Sequence, residues 1–254
     1  MSDLPTITEI HGRVLIITLN RPEARNAINQ AMAEAIAAAV DRLDSDPALS
    51  VGILAGGPQA FSSGMDLKAF LKGETPMIKD RGLAGITEAP PKKPLIAAVD
   101  GFALAGGCEL ALACDMIVAS KTASFGVPEV KRGLIAGGGG VINLPRRIPR
   151  GLAMEIILTG ESVSAERAYE MGLINRLVEG AALDAAMALA ETIAENAPIA
   201  VEVSKRVVLT SQDWPTDEMF QRQQEMIGPV FLSKDAREGA AAFAEKRKPV
   251  WRGE

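Results

Sequence analysis

The chain of 254 residues is 48% hydrophobic and 23% charged, ordinary for a folded protein and long enough for one large α/β domain or a core with a helical appendage. Its net charge of −5 argues against a dedicated nucleic-acid binder, which needs a basic stripe to displace counterions, although local Lys and Arg clusters could meet one small polyanion. The single histidine, His11, rules out a His-rich metal site and leaves acid–base chemistry to carboxylates, Lys, Tyr or Cys.

Two cysteines, Cys108 and Cys114, form neither a disulfide framework nor a metal-ligand spacing and suit a reduced compartment. The start, Met1-Ser2-Asp3-Leu4-Pro5, lacks the apolar core of a signal peptide and the Arg-rich face of a transit peptide. No run of about 18 apolar residues occurs, so no membrane span is predicted and a cytoplasmic location is expected.

Along the chain, Val14 to Leu19 (VLIITL) predicts a buried strand, bounded by Gly12 and by Asn20-Arg21-Pro22. Asn29 to Leu43 carries Met32, Ile36, Val40 and Leu43 at helical spacing. Ser50 to Ala55 predicts a second buried strand, which runs into turn-rich Gly56-Gly57-Pro58 and the segment Phe61 to Leu67 (FSSGMDL). Leu95 to Val99 predicts a third strand, Phe102 to Cys114 a double glycine followed by a helix, and Met116 to Ala119 a fourth strand. This order suggests βαβ-type crossovers and a largely parallel core. From Gly151 onward the pattern is helical, near 151–158, 164–171, 182–195, 199–211, 216–227 and 235–246, with one short strand in Leu173 to Val178. Asn196-Ala197-Pro198 predicts a helix start. No linker, low-complexity run or internal repeat is evident.

Glu109 is the only charged residue between Gly101 and Cys114. A helix apolar all round is usually buried, and an ionised carboxylate in such a place must neutralise, pair or serve a function. A structural ion pair, or a surface helix faced with Ala, fits the same residues. Gly106-Gly107 stands where that helix should begin, with free N–H groups and the positive end of the helix dipole; a tight strand-to-helix turn would also use it. Phe61 to Leu67 is a second small-residue turn of this kind. Two such turns could direct two amides at one oxygen, as an oxyanion hole requires, or be unrelated connections. Glu129, in Phe125-Gly126-Val127-Pro128-Glu129, reads in isolation as a surface residue, although Pro128 fixes the local chain. Gly137-Gly138-Gly139-Gly140 lacks the Gly-Lys-Ser/Thr ending of a phosphate loop, so a Walker site is rejected. Cys108 reads as packing.

Taken together, these segments resemble the crotonase (enoyl-coenzyme A hydratase/isomerase) superfamily over nearly the whole chain. The resemblance rests on Leu19-Asn20-Arg21-Pro22 with Arg25-Asn26-Ala27, Phe61 to Leu67, Asp100 to Asp115, and Phe125 to Glu129. Leu158-Thr159-Gly160, Ala168 to Val178 and Phe243-Ala244-Glu245-Lys246-Arg247 continue it in the correct order.

The resemblance implies an α/β spiral of ββα repeats over 1–195, followed over 196–254 by a helical region that mediates trimerisation, as a trimer or a dimer of trimers. It implies an acyl-coenzyme A thioester as substrate, with coenzyme A entering as part of it and no separate cofactor, metal, nucleic acid or membrane partner. Glu109 and Glu129 match the family's catalytic glutamates, and the amides of Met65 and Gly106 its oxyanion hole. Arg25, Ala27, Gly64, Asp66, Leu67, Lys68 and Gly107 fall in the substrate-binding motifs, whereas Lys72 reads better as a solvated residue. Phe243 and Lys246 match an aromatic and a lysine that reach the nucleotide from a neighbouring subunit. Both glutamates being present favours hydration of a 2-enoyl thioester. The alternatives are double-bond isomerisation, dehydration of a hydroxyacyl thioester of the carnitinyl type, and a non-catalytic acyl-coenzyme A binding protein. Leu134 to Gly140 lacks the proline many relatives carry there, and Met65 projects a flexible side chain beside the site.

Overall fold

The structure is a computed structural model describing residues 4–254; Met1-Ser2-Asp3, part of the N-terminal stretch read above, lie outside the described residues. In chain order the elements are β1 (Thr6–His11), β2 (Val14–Leu19), α1 (Gln30–Ser45), β3 (Val51–Ala55), β4 (Ala60–Ser62), α2 (Leu67–Phe70), β5 (Met77–Ile78), β6 (Gly82–Leu83), β7 (Leu95–Val99) and β8 (Phe102–Leu104). They continue with α3 (Gly106–Ala113), β9 (Met116–Ser120), β10 (Ser124–Gly126), α4 (Gly140–Arg147), α5 (Arg150–Thr159), β11 (Val163–Ser164), α6 (Ala165–Glu170) and β12 (Arg176–Val178). Four helices close the chain: α7 (Ala182–Ala194), α8 (Pro198–Ser211), α9 (Met219–Phe231) and α10 (Lys234–Glu245).

One sheet has the order β1-β2-β3-β7-β9-β12 and a second the order β11-β10-β8-β4. Apart from the antiparallel end pairs β1–β2 and β10–β11, both are parallel. The chain alternates between them. β3 in the first sheet leads to β4 in the second, β7 to β8, and β9 to β10. Each passage is one turn of a spiral, so a repeat exists in geometry although none is legible in the residues.

Side chains alternate across a strand, so VLIITL serves two cores at once. Leu15 and Ile17 join α1 and the second sheet in one cluster, while Val14 and Ile16 meet α7 in another. Burial on both faces is why the central strands read as unbroken apolar runs. α7 meets this sheet with Ala182, Ala186 and Ala190, whose small side chains admit close approach. Asn29, read as the first helical residue, is instead the N-cap of α1, its side chain accepting from the Met32 amide at 3.0 Å.

Several expectations need correction. β1 was not read, because beyond Thr6 its residues are all exposed and carry no apolar period. The strands of the second sheet have two or three residues each, too short to show any period. Glu129 follows β10, one of these short strands, and Phe61 and Ser62 are strand residues rather than part of a turn. α4 escaped notice because glycine opens it and Pro145 lies within it, both poor helix residues.

Lys205 of α8 donates to Asp115 at 2.7 Å and to the Lys93 carbonyl at 3.0 Å, tying the last helices to the sheet end that precedes β9.

Candidate active site

The site is built where consecutive turns of the spiral meet. β8 passes into α3 through Ala105, whose φ of 52° and ψ of −129° are strained for a residue with a side chain. Its amide is anchored on the Gly126 carbonyl of β10 at 2.9 Å. This sharp turn makes Gly106 the first residue of α3, where an N–H has no acceptor inside the helix. Gly107 has no alternative: a β-carbon there would stand 2.3 Å from the Ser62 carbonyl oxygen of β4. Glycine is what lets α3 lie against the preceding turn.

That preceding turn brings Met65. The segment bridges to Ile28, with the Ile28 amide on the Gly64 carbonyl at 2.8 Å and the Asp66 amide on the Ile28 carbonyl at 2.9 Å. In such a bridge the groups of the intervening residue face away, so the Met65 N–H points off Ile28. Among the described residues no loop, turn or cap carbonyl accepts from the Met65 or the Gly106 amide. The two are neighbours: a β-carbon on Gly106 would lie 3.4 Å from the Met65 nitrogen, and one on Gly64 2.8 Å from the Gly106 nitrogen. Met65 belongs to the loop ahead of α2, whose N-cap is Asp66, so only one of the two amides lies at a helix start.

Glu109 lies one turn into α3 and is 4% exposed. Among the described residues no basic side chain pairs with it; its Oε1 accepts from the Gly140 amide at 2.9 Å, at the first turn of α4. The polyglycine run is the cradle of this carboxylate. A β-carbon on Gly138 would lie 2.7 Å from Glu109 Oε2, and one on Gly140 3.1 Å from Oε1. Burial pushes the Glu109 carboxyl up to about 7. The Gly140 amide opposes that rise, the charge of Glu129 adds to it, and the Gly138 amide again opposes it.

Glu129 sits in a short 3-10 helix (Pro128–Arg132) directly after β10. Burial raises its carboxyl too, against its own backbone amide and Arg132. Its Oε2 is buried and, among the described residues, accepts no hydrogen bond. A buried acceptor with no partner is rare and marks a place where something else is to be bound. The spiral thus gathers two amides without acceptors and two carboxyls that burial drives toward their neutral form.

The other predicted residues are less closely gathered. Asp66 is committed: its Oδ1 accepts from the Lys68 and Ala69 amides, and its Oδ2 from Arg21 at 3.1 Å. Burial alone would raise its pKa, but the Ala69 amide and the Arg21 guanidinium hold it below the usual carboxylate range. Arg21, unassigned from sequence, also donates to the Ala27 carbonyl at 2.6 Å and so joins the 21–27 loop to the Met65 segment. Arg25 is exposed with a left-handed φ of 54°, and its carbonyl accepts from Ser63 at 3.1 Å. Leu67 and Lys68 are exposed on α2. Phe243, 88% exposed, and Lys246, the left-handed C-cap of α10, project from the far end of the chain. Burial pushes the Cys108 thiol up to about 12, so it is no nucleophile. A cavity of about 980 Å³ between α8 and the core is bordered by Arg147 and Lys205 and includes none of the four site residues, so cavity size does not locate the chemistry.

Comparison with known proteins shows the family. Residues 9–254 match the profile of the Enoyl-CoA hydratase/isomerase family. An enoyl-CoA hydratase from Mycobacterium tuberculosis H37Rv superposes with a TM-score of 0.97 at 56% identity, covering 99% of this chain and 100% of that one. A carnitinyl-CoA hydratase from Mycobacterium avium superposes with a TM-score of 0.79 at 42% identity, with both chains fully covered. The carnitinyl-CoA dehydratase of Salmonella enteritidis is 41% identical over 252 residues, 96% of each chain.

Burial of Glu109 has a consequence for stability. Its folded pKa, about 7, lies above the ordinary 4.5, so the folded chain holds the proton more tightly than the unfolded chain does. The resulting stabilisation is complete below pH 4.5 and lost as pH rises through about 7. Relative to Glu109→Gln, which cannot titrate, the wild type should lose on the order of 3 kcal/mol across that window. Urea unfolding of both proteins between pH 4.5 and 8 measures it; a constant difference would mean that Glu109 is not desolvated.

Proposed function

We propose that this chain, which belongs to the enoyl-CoA hydratase/isomerase family, is an enoyl-CoA hydratase that adds water across the double bond of a 2-enoyl thioester. The observation that carries the proposal is the pairing of Glu109 and Glu129, both raised by burial, beside two neighbouring amides for which no loop, turn or cap carbonyl among the described residues is an acceptor. Lyase chemistry on a coenzyme A thioester fits the hydratases and dehydratases it resembles.

In this reading the thioester carbonyl oxygen accepts from the Met65 and Gly106 amides. As water attacks the β carbon, charge moves onto that oxygen as an enolate. Two fixed donors stabilise the enolate more than the ground state, each worth about 3 kcal/mol in a dry site. Ionised Glu109, its anion steadied by the Gly140 amide, takes the proton from the attacking water. Glu129, which burial helps to keep protonated, gives its proton to the α carbon. The oxygen–carbon and carbon–hydrogen bonds form as the double bond is consumed. Glu109 then holds one proton more and Glu129 one fewer, and a transfer between them resets the pair. Two carboxyls whose charges oppose one another suit this division of acid and base.

Coenzyme A carries several negative charges, which Arg25 and Lys68 near the site could meet. Phe243 and Lys246, exposed in a single protomer, suit contact from a neighbouring subunit, and the exposed Phe220, Phe231 and Leu232 on the last helices support an oligomer. A second reading, dehydration of a carnitinyl-type hydroxyacyl thioester, is favoured by relatives at 41% and 42% identity. It is the same reaction in reverse.

The test follows loss of enoyl-thioester absorbance with crotonyl-coenzyme A. Glu109→Gln and Glu129→Gln should each lower turnover by at least about 10²-fold while thioester binding survives; near-normal turnover removes that residue from the mechanism. Lys246→Ala should raise KM with little change in kcat, and an unchanged KM would detach Lys246 from the nucleotide.

A further inference from the structure

Leu83 lies on β6, a turn of the chain that supplies none of the four site residues, yet its side chain stands beside two of the site's glycines. Its Cδ2 stands 3.0 Å from where a β-carbon on Gly106 would be and 3.1 Å from one on Gly138. The first glycine bears an amide without an acceptor; the second walls the Glu109 carboxylate. Leu83 is only 3% exposed.

The backbone that delivers it is held at a cost in conformation. Asp80, Gly82, Ala84 and Gly85 have φ of 60°, 74°, 50° and 71°, and two of these four carry side chains that disfavour the left-handed region. The segment is pinned on several sides. The Leu83 amide donates to Thr87 at 2.9 Å, Ala84 to the Pro76 carbonyl at 3.0 Å, and Arg81 to both the Gly85 carbonyl and Asp41 of α1. Strain kept by so many contacts fits a side chain that must occupy one particular place.

The neighbouring lining is of the same character. A β-carbon on Gly140 would meet Ala136 at 2.8 Å and Val127 at 3.2 Å, besides Glu109. Apart from Glu109, the side chains nearest to Gly106, Gly138 and Gly140 are those of Leu83, Ala136 and Val127, all aliphatic and uncharged. A trimethylammonium group would need an aromatic face or a carboxylate there beyond the two assigned to the reaction.

Resting on the hydratase reading, we infer that Leu83 limits the acyl chain beyond the β carbon, so that the substrate class is a short, uncharged, aliphatic acyl thioester. With the thioester oxygen at Gly106 and the reacting carbons at Glu109, atoms past the β carbon run into Leu83. Shortening this side chain frees room for about two or three methylenes, and each methylene in an apolar pocket changes affinity severalfold or more.

The test uses saturated thioesters, which have no double bond to hydrate, so binding is read apart from turnover. Isothermal titration gives Kd for butyryl-, octanoyl- and 4-trimethylammoniobutyryl-coenzyme A on the intact protein. Wild type should bind butyryl at least as tightly as octanoyl, and the cationic ester at least about tenfold more weakly. Leu83→Ala should shift the butyryl-to-octanoyl ratio toward octanoyl by about tenfold or more. Leu83→Val should move it the same way by about threefold, which keeps the test open if the alanine variant fails to fold. An unchanged ratio in a folded variant overturns the role of Leu83, since a side chain that only fills the core would alter stability without altering chain-length preference. Tighter binding of the cationic ester than of butyryl overturns the uncharged class. Wild type that binds none of the three instead contradicts the coenzyme A reading beneath it.

Discussion

A carboxylate in an apolar helix is the constraint around which this structure is organised. Glu109 lies on α3 with Leu110, Ala111 and Leu112 beside it, all essentially inaccessible, and no cation among the described residues pairs with it. The compensation comes from backbone. The amide of Gly140 bonds it and that of Gly138 lies near, where the positive end of α4 begins. Backbone donors steady the anion without fixing it in a tight ion pair. The carboxyl is therefore left near neutrality, able to hold or release a proton at ordinary pH.

The glycines follow from that constraint. At Gly138 and Gly140 a side chain would intrude on the carboxylate, and at Gly107 it would strike β4. At Gly106 it would crowd Leu83 and the Met65 amide. Gly106 and Gly107 lie on one passage of the chain and Gly138 and Gly140 on another, and the second sheet sets the site's loops side by side: β4, β8 and β10 are adjacent strands, and Met65, Gly106 and Glu129 each follow one of them within a few residues. The spiral is thus a device for bringing successive loops to one point.

What could be read in advance follows the range of the interactions. The strands Val14–Leu19 and Leu95–Val99 were legible to the residue, because burial on both faces leaves a continuous apolar run between polar turns. Glu109 was legible because a lone charge in such surroundings demands a reason. Met65, Gly106 and Glu129 drew attention as glycine- or proline-bordered turns, and their roles came from family resemblance. The function of the polyglycine run was hidden, although its oddness was noted, because its partner lies about thirty residues earlier in sequence. Arg21 stood in a recognised motif, but its tie to Asp66 across 45 positions carries no local signal. Leu83 was invisible for the same reason: an ordinary leucine gains importance only from two glycines in other turns.

The account depends most directly on the proton affinity of Glu109 in the resting protein. Carbon-13 NMR of glutamate side-chain carboxyls, with the Glu109 resonance assigned by its loss in Glu109→Gln, reads that affinity at one atom. The predicted midpoint is about 7; a midpoint at the ordinary value of 4.5 would mean a solvated carboxylate and would contradict a buried acid–base pair.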